Sequence, residues 1–231
     1  MKYNKIVKGK FIERPNRFIA YCDIDGKVEK VHVKNTGRCK ELLIEGCTVY
    51  LEESDNQNRK TKYSLVAVEK GKRLINMDSQ VPNKVVYEAL ENDLIQLPGL
   101  NEEITYIKPE KKYHDSRFDI YLETENKKVF IEIKGVTLEE NGVVMFPDAK
   151  TERGVKHINE LIKAKDDGYD CYIFFLVQMD NVKYFTPNKK MHYELWEALK
   201  RAREKGVNIV SYDCNVDKEG IVIKEAVEVI L

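Results

Sequence analysis

The sequence predicts an α/β protein of the α+β kind in two parts, a small β-barrel followed by a mixed sheet flanked by helices. Three observations predict it. The first third of the chain reads as short strands with a hairpin signal. Beyond it, strands alternate with amphipathic helices. The charge also changes sign between the parts: residues 1–80 hold 17 Lys and Arg against 11 Asp and Glu, a net of +6, and residues 81–231 hold 22 against 28, a net of −6.

Ile6 to Ile12 is the first strand expected, and Arg17 to Ile24 (RFIAYCDI) is rich in β-branched and aromatic residues. Asp25-Gly26 follows as a two-residue turn, and Lys27 to Lys34 alternates with Val28, Val31 and Val33 as its apolar positions. Arg38 to Ile44 fits a short helix closed by Gly46, and Cys47 to Glu52, Tyr63 to Glu69 and Leu74 to Met77 read as strands. Three strands, a short helix and further strands is the order of a five-stranded oligonucleotide/oligosaccharide-binding (OB) barrel over residues 1–80. The pattern then changes at Pro82. Val81 to Ile95 is a helix with Val85, Val86, Ala89 and Leu90 on its apolar face. Arg117 to Leu122, Lys128 to Lys134 and Val143 to Phe146 are strands, and Thr151 to Lys165 is a helix capped by Gly168. Asp170 to Val177 (DCYIFFLV) is continuously apolar, as a central strand covered on both faces should be. Met191 to Lys205 is a helix and Val207 to Tyr212 a strand, so residues 81–231 form the mixed-sheet domain.

The totals exclude several classes. In 231 residues, 42% hydrophobic and 34% charged, there is enough apolar material for packed cores, which excludes disorder throughout. No apolar run approaches the length of a membrane span, and MKYNKIVKGKF has no apolar signal region, so the expectation is a soluble, cytoplasmic protein without a membrane partner. The five cysteines, at 22, 39, 47, 171 and 214, form no CxxC pair, which points to reduced thiols rather than a zinc site.

The stretch with chemical content is SRFDIYLETENKKVFIEIKGVTL. Asp119 lies on one strand of a predicted hairpin. Glu132 and Lys134 lie on the next, two residues apart and so on one face. Two carboxylates and an ammonium that converge at a sheet edge suit phosphodiester hydrolysis. Asp119 and Glu132, with the Ile133 carbonyl, would hold a hard divalent ion, Mg²⁺ or Mn²⁺. Lys134 would orient the attacking water and offset transition-state charge. A solvated strand face is the alternative. It is weakened by the apolar setting of Glu132, because a charge in Val129-Phe130-Ile131-Glu132-Ile133 needs a partner. Two facing carboxylates without a metal repel, so one should titrate high. Glu88, on the preceding helix, is a further ligand candidate or else an exposed helix residue.

Arg153, Lys156, His157 and Glu160 share one helix face, which either meets phosphates or is simply solvated. His157 has no second His at ligand spacing. In the first part, Lys34-Asn35-Thr36-Gly37-Arg38 precedes the short helix, where a glycine turn offers N–H groups to a phosphate. Lys40, Arg117 and Lys150 complete the set of nucleic-acid-binding candidates. Phe11, Phe18 and Tyr21 stack on bases if they face outward, or fill the barrel if they do not.

The segments HVKNTGRCKELL, SRFDIYL, IEIKGVTL, FPDAKTERGVKH and GVNIVSYD, in this order along nearly the whole chain, resemble the sugar fermentation stimulation protein A family. The resemblance implies an OB barrel and a second domain of the restriction-endonuclease-like, PD-(D/E)xK type. It also implies non-specific DNA binding and a regulatory link to sugar (maltose) metabolism. The nuclease motif falls on Asp119, Glu132 and Lys134, and its helix acid on Glu88. Cys39 stands where the family pattern has Met, and Met191-His192 where it is acidic. Two functions stay open: a DNA-binding protein with a metal-dependent phosphodiesterase site, and a non-catalytic DNA-binding regulator of sugar use. A carbohydrate-binding module ranks last, since the single Trp, Trp196, gives it a poor stacking platform. The sequence leaves the oligomeric state open.

Overall fold

The computed structural model describes residues 1–35, 37–56 and 58–231. Its first strand, β1 (Lys5–Asn16), is long enough to pair with two neighbours. Asp25 and Gly26 take φ of 52° and 79°, as a two-residue hairpin requires, and join β2 (Ile19–Ile24) to β3 (Lys27–Val33). β4 (Thr48–Glu53) returns beside β1, and β5 (Tyr63–Lys70) pairs with β4 on one side and, in parallel, with β3 on the other. That last pairing closes a five-stranded barrel, and β6 (Arg73–Asn76) extends it from β5. Phe11, Val31, Val49, Leu51, Leu65 and Val68 are buried in the barrel core.

The short helix expected over 38–44 does not form. Cys39 takes φ 46°, outside helical space, and the N–H groups of Leu42 and Leu43 both donate to the Cys39 carbonyl in a single turn. Leu42 and Leu43 are buried instead, so the apolar spacing read as a helix face is a plug in the barrel. The helix N-terminus on which the phosphate expectation rested is therefore absent there.

The second part begins with α1 (Val81–Glu91), which carries Pro82 in its first turn. β7 (Tyr106–Tyr113), β8 (Ser116–Glu123) and β9 (Lys128–Val136) follow as an antiparallel meander. β10 (Leu138–Glu140) and β11 (Val143–Phe146) form a side hairpin, and α2 (Glu152–Asp166) leads to β12 (Asp170–Val177). β13 (Tyr184–Pro187) joins β11, and α3 (Tyr193–Glu204), β14 (Asn208–Asp217) and β15 (Gly220–Ala226) complete the chain. The main sheet runs β15-β14-β12-β9-β8-β7, with β12 parallel to both of its neighbours. Every residue of β12 except Asp170 is buried, as the apolar run predicts for a central strand. α1 packs on one face of the sheet and α2 with α3 on the other.

The backbone of residues 1–3 pairs with this second part, while the Tyr3 hydroxyl accepts from Asn76 of β6 at 2.7 Å. The Tyr3 N–H donates to the Glu219 carbonyl at 2.8 Å, and Lys2 bridges to Gly220. The two parts are tied by polar contacts. Glu139 accepts from Lys70 Nζ at 2.8 Å and pairs with Arg73 at 2.9 Å. Gln178 donates to the Asn76 side chain at 2.9 Å and the Asp78 carbonyl at 3.1 Å. All five cysteines are free, and burial pushes the thiols of Cys22, Cys39 and Cys171 up to about 12. Among the described residues no helix is long and apolar enough to cross a membrane.

Candidate functional site

β8 and β9 pair from Glu123–Lys128 to Ile120–Ile131, and the ladder then stops. Asp119 is the next residue. On β8, Phe118 and Tyr121 join the cluster on the α2 side, whereas Ile120 and Leu122 join the one on the α1 side. Alternation therefore slips at Asp119, and Glu110, the residue opposite on β7, takes φ 53°. The Asp119 carboxylate turns into the gap between the strands. Its Oδ2 accepts from the Ile133 N–H at 2.7 Å and its Oδ1 from Asn83 Nδ2 at 2.8 Å. The N–H and C=O of one strand residue share an edge, so the Ile133 carbonyl faces the same gap.

Glu132 is only 1% exposed. Its Oε1 takes two partners, Lys134 Nζ and His157 Nδ1 from α2. Its Oε2 is buried and has no partner among the described residues. Burial pushes the Asp119 carboxyl up, and the Glu132 charge adds to that. Glu132 moves the other way. Burial acts to raise it, but the His157 hydrogen bond and the Lys134 charge together hold it below the usual range. Of two facing carboxylates, then, Asp119 is the one that titrates high. An orphaned, buried carboxylate oxygen near a second carboxylate and a carbonyl at the end of the ladder is an oxygen-rich set that fits a hard cation. Among the described residues no three His, Cys, Asp or Glu side chains are placed to hold a metal ion, so two carboxylates would need a backbone oxygen beside them.

Glu88 is not part of it. It pairs with the Met1 amine at 3.0 Å and lies 3.8 Å from Lys84. It lies five positions after Asn83, which places it about 140° round the helix from the side chain that reaches Asp119. Asn83 is the α1 residue that meets the site, and its position in the first turn, beside Pro82, was the available signal.

A cleft of about 420 Å³ opens over Asp119, lined by Ser116, Arg117, Arg153, Lys156 and His157 among others. Arg153 and Lys156 are exposed there, but His157 and Glu160 are buried, so the helix face read as uniformly polar is half packed against the sheet. His157 contacts Glu132, which removes it from the open nucleic-acid surface. A second groove, about 690 Å³, runs between the parts and is lined by Arg14, Arg17, Arg38, Lys40 and Lys150, with no acid among its described lining residues. Gly37 lies there as well. A Cβ on it would stand 2.5 Å from Asp148 Oδ2, so a larger residue there would push the Asp148 side chain away from this loop.

Lys34 is not in this groove. It pairs with Glu52 at 3.2 Å and the buried Asp78 at 3.1 Å, a structural role that consumes its charge. Asn35 is likewise structural, donating to the Met77 carbonyl and accepting from the Gly37 N–H. Thr36 lies outside the described residues. Arg14 and Arg17 were missed. Arg14 donates to the carbonyls of Arg17, Asn35, Gly37 and Arg38 at 2.6–2.9 Å and so ties these four residues together. Of the three candidate stacking aromatics, Phe11 is core and Phe18 is 52% exposed.

Comparison with known proteins agrees with this architecture. Residues 12–77 match the SfsA N-terminal OB domain, and residues 80–220 match the sugar fermentation stimulation protein RE domain. The chain belongs to the sugar fermentation stimulation protein family. Within the family it is 59% identical to a homolog from Clostridium beijerinckii, over 100% of both chains. It is 56% identical to one from Ruminiclostridium cellulolyticum, over 99% of each. Among solved structures it resembles Pyrococcus furiosus SfsA in complex with Ca²⁺, with a TM-score of 0.89 at 31% identity, covering 100% of this chain and 98% of that one.

Proposed function

We propose that the protein binds DNA without sequence preference and hydrolyses phosphodiester bonds with Mg²⁺ or Mn²⁺, in a role tied to the control of sugar (maltose) use. The observation that carries the catalytic part is the buried, unpartnered Oε2 of Glu132 beside Asp119. A buried carboxylate oxygen without a donor costs free energy that a cation would recover. The Ca²⁺ held by the Pyrococcus relative supports a cation in this family. Asp119, Glu132 Oε2 and the Ile133 carbonyl would hold the ion. Such an ion acidifies a bound water and offsets charge on the scissile phosphate. Lys134, anchored on Glu132 Oε1, orients the water, and Arg153 and Lys156 hold the phosphate in the cleft above. The groove of five cations carries the rest of the backbone.

Plasmid and single-stranded DNA incubated with each metal test this. Wild type cleaves, and Asp119→Ala lowers the rate by about 10²-fold or more. Equal cleavage by both proteins would overturn the catalytic reading. A second reading, a DNA-binding regulator without chemistry, is favoured by the basic groove being lined by residues other than those of the acidic site. It predicts that no metal yields cleavage while affinity falls steeply with salt and survives Asp119→Ala.

A further inference from the structure

We infer that His157 is a positioning residue that sets the Glu132 carboxylate for the cation. This inference rests on the metal site proposed above. The two ring nitrogens of His157 have different partners. Arg153 Nε donates to Nε2 at 3.3 Å, and a guanidinium has donors only. Nε2 is therefore the acceptor, and the ring proton lies on Nδ1. That proton points at Glu132 Oε1, which also takes the Lys134 ammonium. Two donors on one oxygen fix the carboxylate plane and leave Oε2, buried and unpartnered among the described residues, as its one open ligand position. His157 is 7% exposed, and its ring is held between Arg153 on one nitrogen and Glu132 on the other. Arg153 stands one turn earlier on α2 with its side chain in the cleft, so a single chain of contacts runs from a phosphate-facing guanidinium through the imidazole to the carboxylate.

The chemistry of substitution separates positioning from mere filling. Asn carries its Nδ2 at the same number of bonds from Cα as the Nδ1 of His, so His157→Asn keeps a donor for Oε1. His157→Leu keeps bulk and loses the donor. Calorimetric titration of Mn²⁺ into the full chain should show one site in wild type, retained by His157→Asn and weakened about 10–100-fold in His157→Leu. Two-dimensional ¹H–¹⁵N spectra of the wild-type ring should place the proton on Nδ1, a measurement that needs no variant to fold. Mn²⁺ binding by His157→Leu equal to that of wild type, or a ring proton on Nε2, would overturn the inference and leave the metal site standing. Absence of Mn²⁺ binding by wild type would overturn both.

Discussion

Arg14 shows how one side chain can set a surface. Its guanidinium reaches three backbone carbonyls of the loop that carries Arg38 into the groove and a fourth, that of Arg17, in the turn after β1. A lysine has the charge but not the planar fork. Arg14→Lys should lower stability by roughly 1–3 kcal/mol in urea unfolding, since charge-assisted hydrogen bonds are lost. It should also weaken binding of labelled DNA, although net charge is unchanged; undiminished stability would show that the fork is dispensable. At this scale the acid–acid–lysine set was legible because strand alternation places Glu132 and Lys134 together and a hairpin brings Asp119 opposite. The slip at Asp119 was not legible, since it depends on the twist at Glu110. Glu88 and Lys34 were misplaced for a common reason. A charged residue near a motif is often already paired, here with the Met1 amine and with Glu52 and Asp78.

Elements explain which of these residues can act. α2 starts at Thr151, whose Oγ1 accepts from the Gly154 N–H at 3.1 Å, and Arg153, Lys156 and His157 all project from its first two turns. Thr151→Ala should cost about 1 kcal/mol, seen as a fall of about 2–4 °C in Tm. No change in Tm would mean the cap is not holding the helix start. The three helices that form were readable from their periodicity and end signals, and the central strand from its unbroken apolar run. The strands left unread were β7, β10, β13 and β15. β7 (YIKPEKKY) is an edge strand, and its Pro109 and lysines disguise it as a loop while guarding the edge. β15 is the opposite edge, and β10 and β13 are too short to show a period. The helix expected at 38–44 failed because apolar spacing cannot distinguish a helix face from a barrel plug, and Cys39 gives no sign of its positive φ.

The whole molecule depends on the joint between its parts. Glu139, buried on β10, is gripped by Lys70 and Arg73 of the barrel, and although burial acts to raise its carboxyl these partners hold it at about 2. A depressed carboxyl contributes stability that is full above the unfolded value of 4.5 and is lost as pH falls toward about 2. The advantage of wild type over Glu139→Gln should therefore be full at pH 7, on the order of 2–3 kcal/mol, and shrink between about 4.5 and 2 in urea unfolding across pH. A constant difference across that window would show that the pair is not what joins the parts. The opposed net charges of the two parts, +6 and −6, set a cationic barrel against an acidic second part. Diffraction from Mn²⁺-soaked crystals at the manganese absorption edge tests the account most directly. It predicts an anomalous peak between Asp119, Glu132 Oε2 and the Ile133 carbonyl; no peak there at saturating Mn²⁺, or one only elsewhere on the chain, would contradict it.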